Sequence, residues 1–492
     1  MKYKKALTPF LLFFLAVIVY GGFGFEGKLL RDDAMFIYGG QRLVDGAVPY
    51  VGMFDVKGPI APMAAGIGVA ISRWMEWDDV LGARLVFLFA SALAVVGAYF
   101  LGSSLFRCRK TGVLSAMAFL GFFDFAREAA SGPRAKSLVV LFGIFSLYFA
   151  GRKKWFWGGF FGALSALTWQ PTGIFLLASF IMALMQPGKE RLRAASLSAV
   201  GIGLPAAALV LYFYSQGALF ELLDGILLFH LNYLVPVNVP AIYHILLPYW
   251  AVTRGYTLMA LPIAIGLIVI MYLHYSRRAL HGSFKGMLRD DPFAPVFLSF
   301  FPFVAWSALD FQGPADFYVF LPYVAVGFAH FLAILAAHME TRLETGRFAW
   351  AGGLVVPAIC LALTVAAAAD IRHRSESGYL DQVATADAIE QRFGEDLKLL
   401  SIGCPEALVV MGRTNPNPYP VLIGGMDRRI HATTLGGFEG WLMELAFYDA
   451  DVIAFGPTGG PHERRLMQWI ESRYHEEKMG PWKLYIRDTG NT

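Results

Sequence analysis

Charge is scarce in this chain. Asp, Glu, Lys and Arg make up 16% of its 492 residues, against about 25% in soluble domains. So few charges cannot cover a soluble globule of this size. The 57% hydrophobic content and mean hydropathy of +0.52 also exclude a disordered chain and a collagen-like fibre. Cysteine is scarcer still. Cys108, Cys360 and Cys404 lie far apart and have no metal-ligand or redox spacing. GxGxxG and Walker motifs are absent, as are internal repeats, low-complexity segments and nucleic-acid motifs. The remaining class is a polytopic α-helical membrane protein.

A bilayer core takes about 20 mainly apolar residues per helix. By that measure spans fall near 7–24, 80–105, 111–124, 135–150, 155–169, 171–186, 195–214, 255–275, 293–309, 317–337 and 348–368, or about eleven. The first reads as uncleaved, because no small-residue cleavage site follows Met1-Lys2-Tyr3-Lys4-Lys5. With the N-terminus in the cytoplasm, the inside segments carry 18 Lys+Arg and the outside loops 8. That bias supports the orientation. It places the C-terminal region outside the cell membrane.

Two domains are expected. Residues 1–368 form the transmembrane part, with a first outside loop at 25–79. Residues 369–492 hold 13 basic and 18 acidic residues, while the remainder of the chain is net positive. This tail has strand-like runs at Leu397–Ile402, Ala407–Met411, Val452–Phe455 and Lys483–Ile486. Helical stretches at Phe438–Ala450 and Glu463–Tyr474 lie between them. The alternation predicts a small extracytoplasmic α/β domain with a partly parallel sheet.

The first outside loop is the most informative stretch. Its spacing predicts an amphipathic helix over Ala34–Asp45, lying at the membrane surface, and a second over Pro59–Trp74. Asp33 stands where an N-cap would stand. Asp32 has no such task, and a carboxylate at this position can act as general base on a hydroxyl. Asp55 is a third candidate. Lys57 reads either as a snorkelling lysine or as a phosphate contact. In the second outside loop, Arg127, Arg134 and Lys136 run against the positive-inside bias and suit a phosphate. Gln170 follows an interfacial Trp169 and can hydrogen-bond a sugar. His230, Asn232, Tyr233, His244 and Arg254 mark a long aromatic loop. Asp310, Gln312, Asp316 and Tyr318 surround a short one.

The order Asp32-Asp33, Tyr38, Pro49-Tyr50, then Asp55-Val56-Lys57-Gly58-Pro59 resembles the loop signature of polytopic GT-C glycosyltransferases. These include dolichyl-phosphate-mannose-dependent enzymes and the related aminoarabinose transferases. Gly58 stands where the family has the first proline of a Lys-Pro-Pro element. Together with Gly403-Cys404-Pro405 and Met411-Gly412-Arg413-Thr414-Asn415, the loop looks most like archaeal dolichyl-phosphate-mannose mannosyltransferases.

The resemblance implies an inverting hexosyl transfer, of mannose by family alone, from a polyprenyl or dolichyl phosphate at the outer membrane face. The acceptor would be a glycan or a lipid-linked hydroxyl, in surface-glycan or N-glycan assembly. Asp32, Asp33 and Asp55 would be the catalytic candidates. Lys57, Arg127, Arg134 and Lys136 would meet the donor phosphate. Tyr38, Gln170, His230, Asp316 and Tyr318 would meet sugar or acceptor. No cofactor is expected, although an adjacent Asp pair can hold a divalent ion. The rival readings are a transporter or flippase of a lipid-linked sugar, and a scaffold whose tail binds a partner. Transporters place charges at the midplane and show internal repeats; here the charges gather at the outer edge.

Overall fold

A computed structural model describes residues 2–233, 260–311, 313–344, 349–372, 378–422 and 424–488. His244, Arg254 and Gln312 lie outside the described residues. The chain opens with α1 (Lys2–Gly21), followed by two helices of the first loop, α2 (Arg31–Val44) and α3 (Ile60–Met75). The long α4 (Asp79–Phe106) comes next, then α5 (Arg109–Leu120), α6 (Phe123–Ser131) and α7 (Ala135–Gly151). α8 (Trp155–Thr168), α9 (Gly173–Leu184) and α10 (Gly188–Ser215) complete the first half. The later long helices are Ala260–Leu280, Ala294–Leu309, Leu321–Glu344 and Val355–Arg372.

Among the described residues, five helices are long and apolar enough to cross a membrane. The number rises to seven if each of two sharply bent pairs counts as one span. The stretches 111–124, 155–169 and 171–186 are largely helical but shorter than a full bilayer core, and the 20-residue α1 covers 7–21 of the first stretch. α4 is the central helix: 72% of its most apolar window is buried, against 17% in Ala351–Ala369. The outer helices instead expose large apolar side chains such as Leu211, Ile268 and Leu361, as lipid-facing helices do.

The second outside loop is mostly helical. Residues 125–134 are not irregular: α6 occupies most of them and turns by 118° into α7. Arg127 and Glu128 sit on that short helix and Arg134 caps the start of α7, and the three interact as a cluster.

α2 forms where the apolar spacing puts a helix, three residues longer at its start. Protein covers both its flanks. Ala34, Phe36, Ile37 and Tyr38 are buried, as are the glycines that follow. Gly40 lets α2 approach α3 backbone to backbone, since a Cβ there would lie 2.6 Å from the Gly66 nitrogen. On the other flank α2 meets the C-terminal region: Asn415 N donates to Tyr38 Oη (2.9 Å) and Gln41 Nε2 to the Val409 carbonyl (3.3 Å). Asp33 is not an N-cap. The helix starts at Arg31 after Leu30, with no side-chain cap.

The C-terminal region contains a four-stranded sheet, β1 (Leu399–Ile402), β2 (Val452–Phe455), β3 (Tyr474–Met479) and β4 (Trp482–Arg487), in the order β1-β2-β4-β3. β1 and β2 are parallel and the other pairs antiparallel. The run Ala407–Met411 is not a strand but lies mostly in a helix, Pro405–Val410, with proline in its first turn. Short buried apolar runs do not distinguish the two forms. The helix expected over Glu463–Tyr474 ends at Glu471. β3 begins at Tyr474; its charged edge sequence YHEEKM gave no apolar alternation to read.

Candidate functional site

The first turn of α2 points two adjacent carboxylates in different directions. The Asp33 side chain is 2% exposed and the Asp32 side chain 43%. Asp33 Oδ1 makes an ion pair with Arg134 Nε at 3.0 Å. The same Nε donates to Glu128 Oε2 at 2.8 Å. Asp32 Oδ2 lies 3.4 Å from the other end of that guanidinium and 3.6 Å from Lys57 Nζ. Arg31 Nε approaches Asp32 Oδ1 at 4.0 Å. Asp32 is thus the accessible carboxylate, held between two cations.

The electrostatics separate the neighbours. Lys57 above all, with Arg134 and Arg31, holds the Asp32 carboxyl below the usual carboxylate range, against the effect of burial. Burial pushes Asp33 well above that range, with Arg134 opposing. Opposite environments acting on adjacent groups separate their protonation states.

Lys57 reaches Asp32 because of a turn built from its own loop. The Asp55 carboxylate accepts from Val56 N (2.7 Å) and Lys57 N (3.2 Å). Tyr50 Oη donates to the Lys57 carbonyl at 2.6 Å. Burial raises the Asp55 carboxyl above its ordinary value, with Lys57 opposing. Gly58 explains the departure from proline: a side chain there would collide with the Leu167 carbonyl, 1.8 Å from its Cβ. Asp55, Lys57, Tyr50 and Arg42 line a small cavity between this turn and α2.

The second outside loop supplies the rest of the cluster. Arg127 binds Asp124 Oδ1 (3.1 Å) and Glu128 Oε1 (2.9 Å). Lys136 pairs with Asp316 Oδ1 at 2.7 Å and lies over the Trp169 ring. Tyr318 is fully buried, and its hydroxyl donates to Asp124 Oδ2 at 2.9 Å. Gln170 Nε2 donates to the Val56 carbonyl at 2.9 Å, and His230 Nε2 lies 2.9 Å from the same oxygen. Both therefore brace the lysine turn from behind. The structure unites Asp32, Asp33, Lys57 and Arg134, links Arg127 to them through Glu128 and Tyr318 to Arg127 through Asp124, and sets Tyr38 apart against Asn415.

Three contributors were missed in the sequence. Glu128 joins Arg127 to Arg134. Arg84, fully buried in α4, donates to backbone carbonyls around the site. Gln382 does so from the C-terminal region. Arg84 had a usable signal, since a lone arginine inside an apolar span is costly and therefore rarely idle. Among the described residues, no group of three or more His, Cys, Asp or Glu side chains is arranged to hold a metal ion.

No protein-family model matches the sequence, and no curated protein matches it. Solved structures do. The crystal structure of ArnT from Cupriavidus metallidurans in the apo state superposes with a TM-score of 0.62 at 11% identity, covering 99% of this chain and 98% of that one. The structure of the same protein bound to undecaprenyl phosphate gives 0.59 at 11% identity, covering 98% of each chain. The chain therefore has the fold of ArnT over nearly its whole length.

Proposed function

We propose that this protein is an integral membrane glycosyltransferase that moves a sugar from a polyprenyl phosphate to a hydroxyl acceptor. The observation that carries the reading is Asp32: an accessible carboxylate kept ionised between Lys57 and Arg134. Support comes from a fold neighbour that binds undecaprenyl phosphate, and from the loop-one residues that resemble GT-C enzymes.

The chemistry follows from the charges. An acceptor hydroxyl oxygen attacks the anomeric carbon and the carbon–oxygen bond to phosphate breaks. Asp32 takes the hydroxyl proton as general base. Polyprenyl phosphate leaves with the bonding electron pair, and Lys57 and Arg134 neutralise its growing charge. Asp33 and Glu128 orient Arg134. Attack opposite the leaving group inverts the anomeric centre. Arg127 and Lys136 extend the basic rim, while Gln170, His230, Asp316, Tyr38 and Tyr318 support the walls around sugar and acceptor. No cofactor enters this scheme.

In this reading the chain is multi-pass, with the N-terminus in the cytoplasm, about eleven membrane segments counting short ones, and the region from 369 onward outside. Mannose on a dolichyl-type carrier is the first donor to try. The test is to give the purified protein polyprenyl-phosphate mannose, glucose and pentose donors, with and without a glycan acceptor, and to follow free polyprenyl phosphate by mass spectrometry. Release from one donor supports the reading. No release from any, with lipid scrambling in vesicles, would support a flippase instead.

A further inference from the structure

The segment from Phe25 to Leu30 delivers Asp32 to the site, and it is gripped from two sides. Arg84 donates to the carbonyls of Phe25, Gly27 (2.6 Å) and Gly132 (3.0 Å). Gly132 lies two residues before Arg134. One guanidinium thus ties the approach to Asp32 to the approach to Arg134. Its planar fork of donors can serve three carbonyls at once, which a lysine ammonium on a flexible stem cannot do in the same geometry.

The opposite grip comes from the helix Gly378–Phe393. Gln382, fully buried, accepts from Leu29 N at 2.8 Å and donates to the Leu29 carbonyl at 3.0 Å. One side chain amide therefore satisfies both backbone groups of one residue, as a neighbouring strand would. Next to it, Tyr379 N donates to the Glu26 carbonyl at 2.9 Å. The Tyr379 ring lies 5.2 Å from the Arg84 guanidinium, and its hydroxyl donates to Asp78, the N-cap of α4, at 2.9 Å. Five backbone polar groups between Phe25 and Leu29 are held by these three residues.

We infer that Arg84 and Gln382 are positioning residues that clamp segment 25–30 and set Asp32 against Lys57 and Arg134, making the C-terminal region a working part of the transfer site rather than a cover over it. Buried peptide groups released from such a grip lose their partners, so the segment shifts to find new ones. A shift of about 1 Å in a catalytic group can cost about 100-fold in rate. The catalytic consequence rests on the transferase reading; the clamp itself does not.

The test uses the full-length protein in lipid nanodiscs, as wild type, Gln382→Leu, Gln382→Glu and Arg84→Lys. Hydrogen–deuterium exchange of peptides covering 25–30 reads the clamp without any substrate. Exchange there is expected to accelerate at least about tenfold in Gln382→Leu, which removes the acceptor of the Leu29 N–H, and by less in Gln382→Glu and Arg84→Lys, which leave that acceptor in place. Turnover reads the consequence. Gln382→Leu is expected to lower kcat about 100-fold while donor KM stays within about threefold. It should also raise the acid limb of the kcat–pH profile, because Asp32 is withdrawn from Lys57, Arg134 and Arg31. General destabilisation would leave that limb in place. If Gln382→Leu fails to fold, Gln382→Glu, which keeps the acceptor for Leu29 N–H and loses the donor, should give a smaller loss in the same direction. Wild-type exchange at 25–30 in the folded variants, or faster exchange with unchanged kcat and acid limb, would overturn the inference. Faster exchange in variants of a wild type that releases no polyprenyl phosphate would uphold the clamp and sink the transferase reading.

Discussion

The two polar ends of the helical bundle treat their charges differently. At one end Lys110 is 60% exposed where it meets Glu340, and Arg289 and Asp290 are about half exposed where they pair. At the other end Asp33, Glu128, Lys136 and Asp316 are all nearly closed off from solvent. Solvated pairs contribute little to stability and record topology. Buried ionic clusters carry a desolvation penalty that simple packing would avoid. Asp291 is the instructive exception at the first end. It is fully buried, yet its carboxylate accepts from Phe293 N (2.9 Å) and pairs with Arg277 and His281, so it has a local structural task. The outer cluster instead spans three segments and leaves one carboxylate, Asp32, open.

Breaking the outer cluster should therefore matter far more than breaking the inner pairs. The largest effect is expected for Asp32→Asn, which removes the base: kcat should fall about 1,000-fold in a donor-turnover assay. Arg134→Met removes a charge from the leaving phosphate and also the partner shared by Asp33, Glu128 and Asp32. Its kcat/KM should fall about 100-fold. Lys57→Met should cost about tenfold and alter the pH profile. Lys57 is the main influence holding Asp32 low, so the base stays ionised as pH falls below the ordinary carboxylate value. Without Lys57 the folded-state pKa rises, and activity should be lost at a higher pH on acidification. Lys110→Gln and Arg289→Gln, at the opposite end, should change kcat by less than about twofold.

The sequence made part of this contrast legible. Asp32 and Lys57 share one loop, so their partnership could be anticipated from a stretch of about 30 residues. α2 and α3 were readable from apolar spacing. The pairing of Asp32 with Arg134 bridges 102 positions, and local patterns carry no record of such a distance. Gln382 grips Leu29 from 353 residues away, for the same reason. Arg84 was hidden differently: a window that averages hydropathy dilutes one arginine among many apolar neighbours. Apolar spacing in α2 shows that a face is buried without showing by what. Here the covering material is α3 on one flank and the C-terminal region on the other. In the tail, β3 escaped notice because an exposed edge strand keeps charged residues on it.

The most direct test separates binding from turnover at Asp32. Wild type and Asp32→Asn would each be incubated with a polyprenyl-phosphate sugar and an acceptor, and bound lipid phosphate, free polyprenyl phosphate and glycosylated acceptor would be measured together. The account predicts equal donor binding, with product and released lipid phosphate formed one for one only in the wild type. Turnover by Asp32→Asn at the wild-type rate would contradict it.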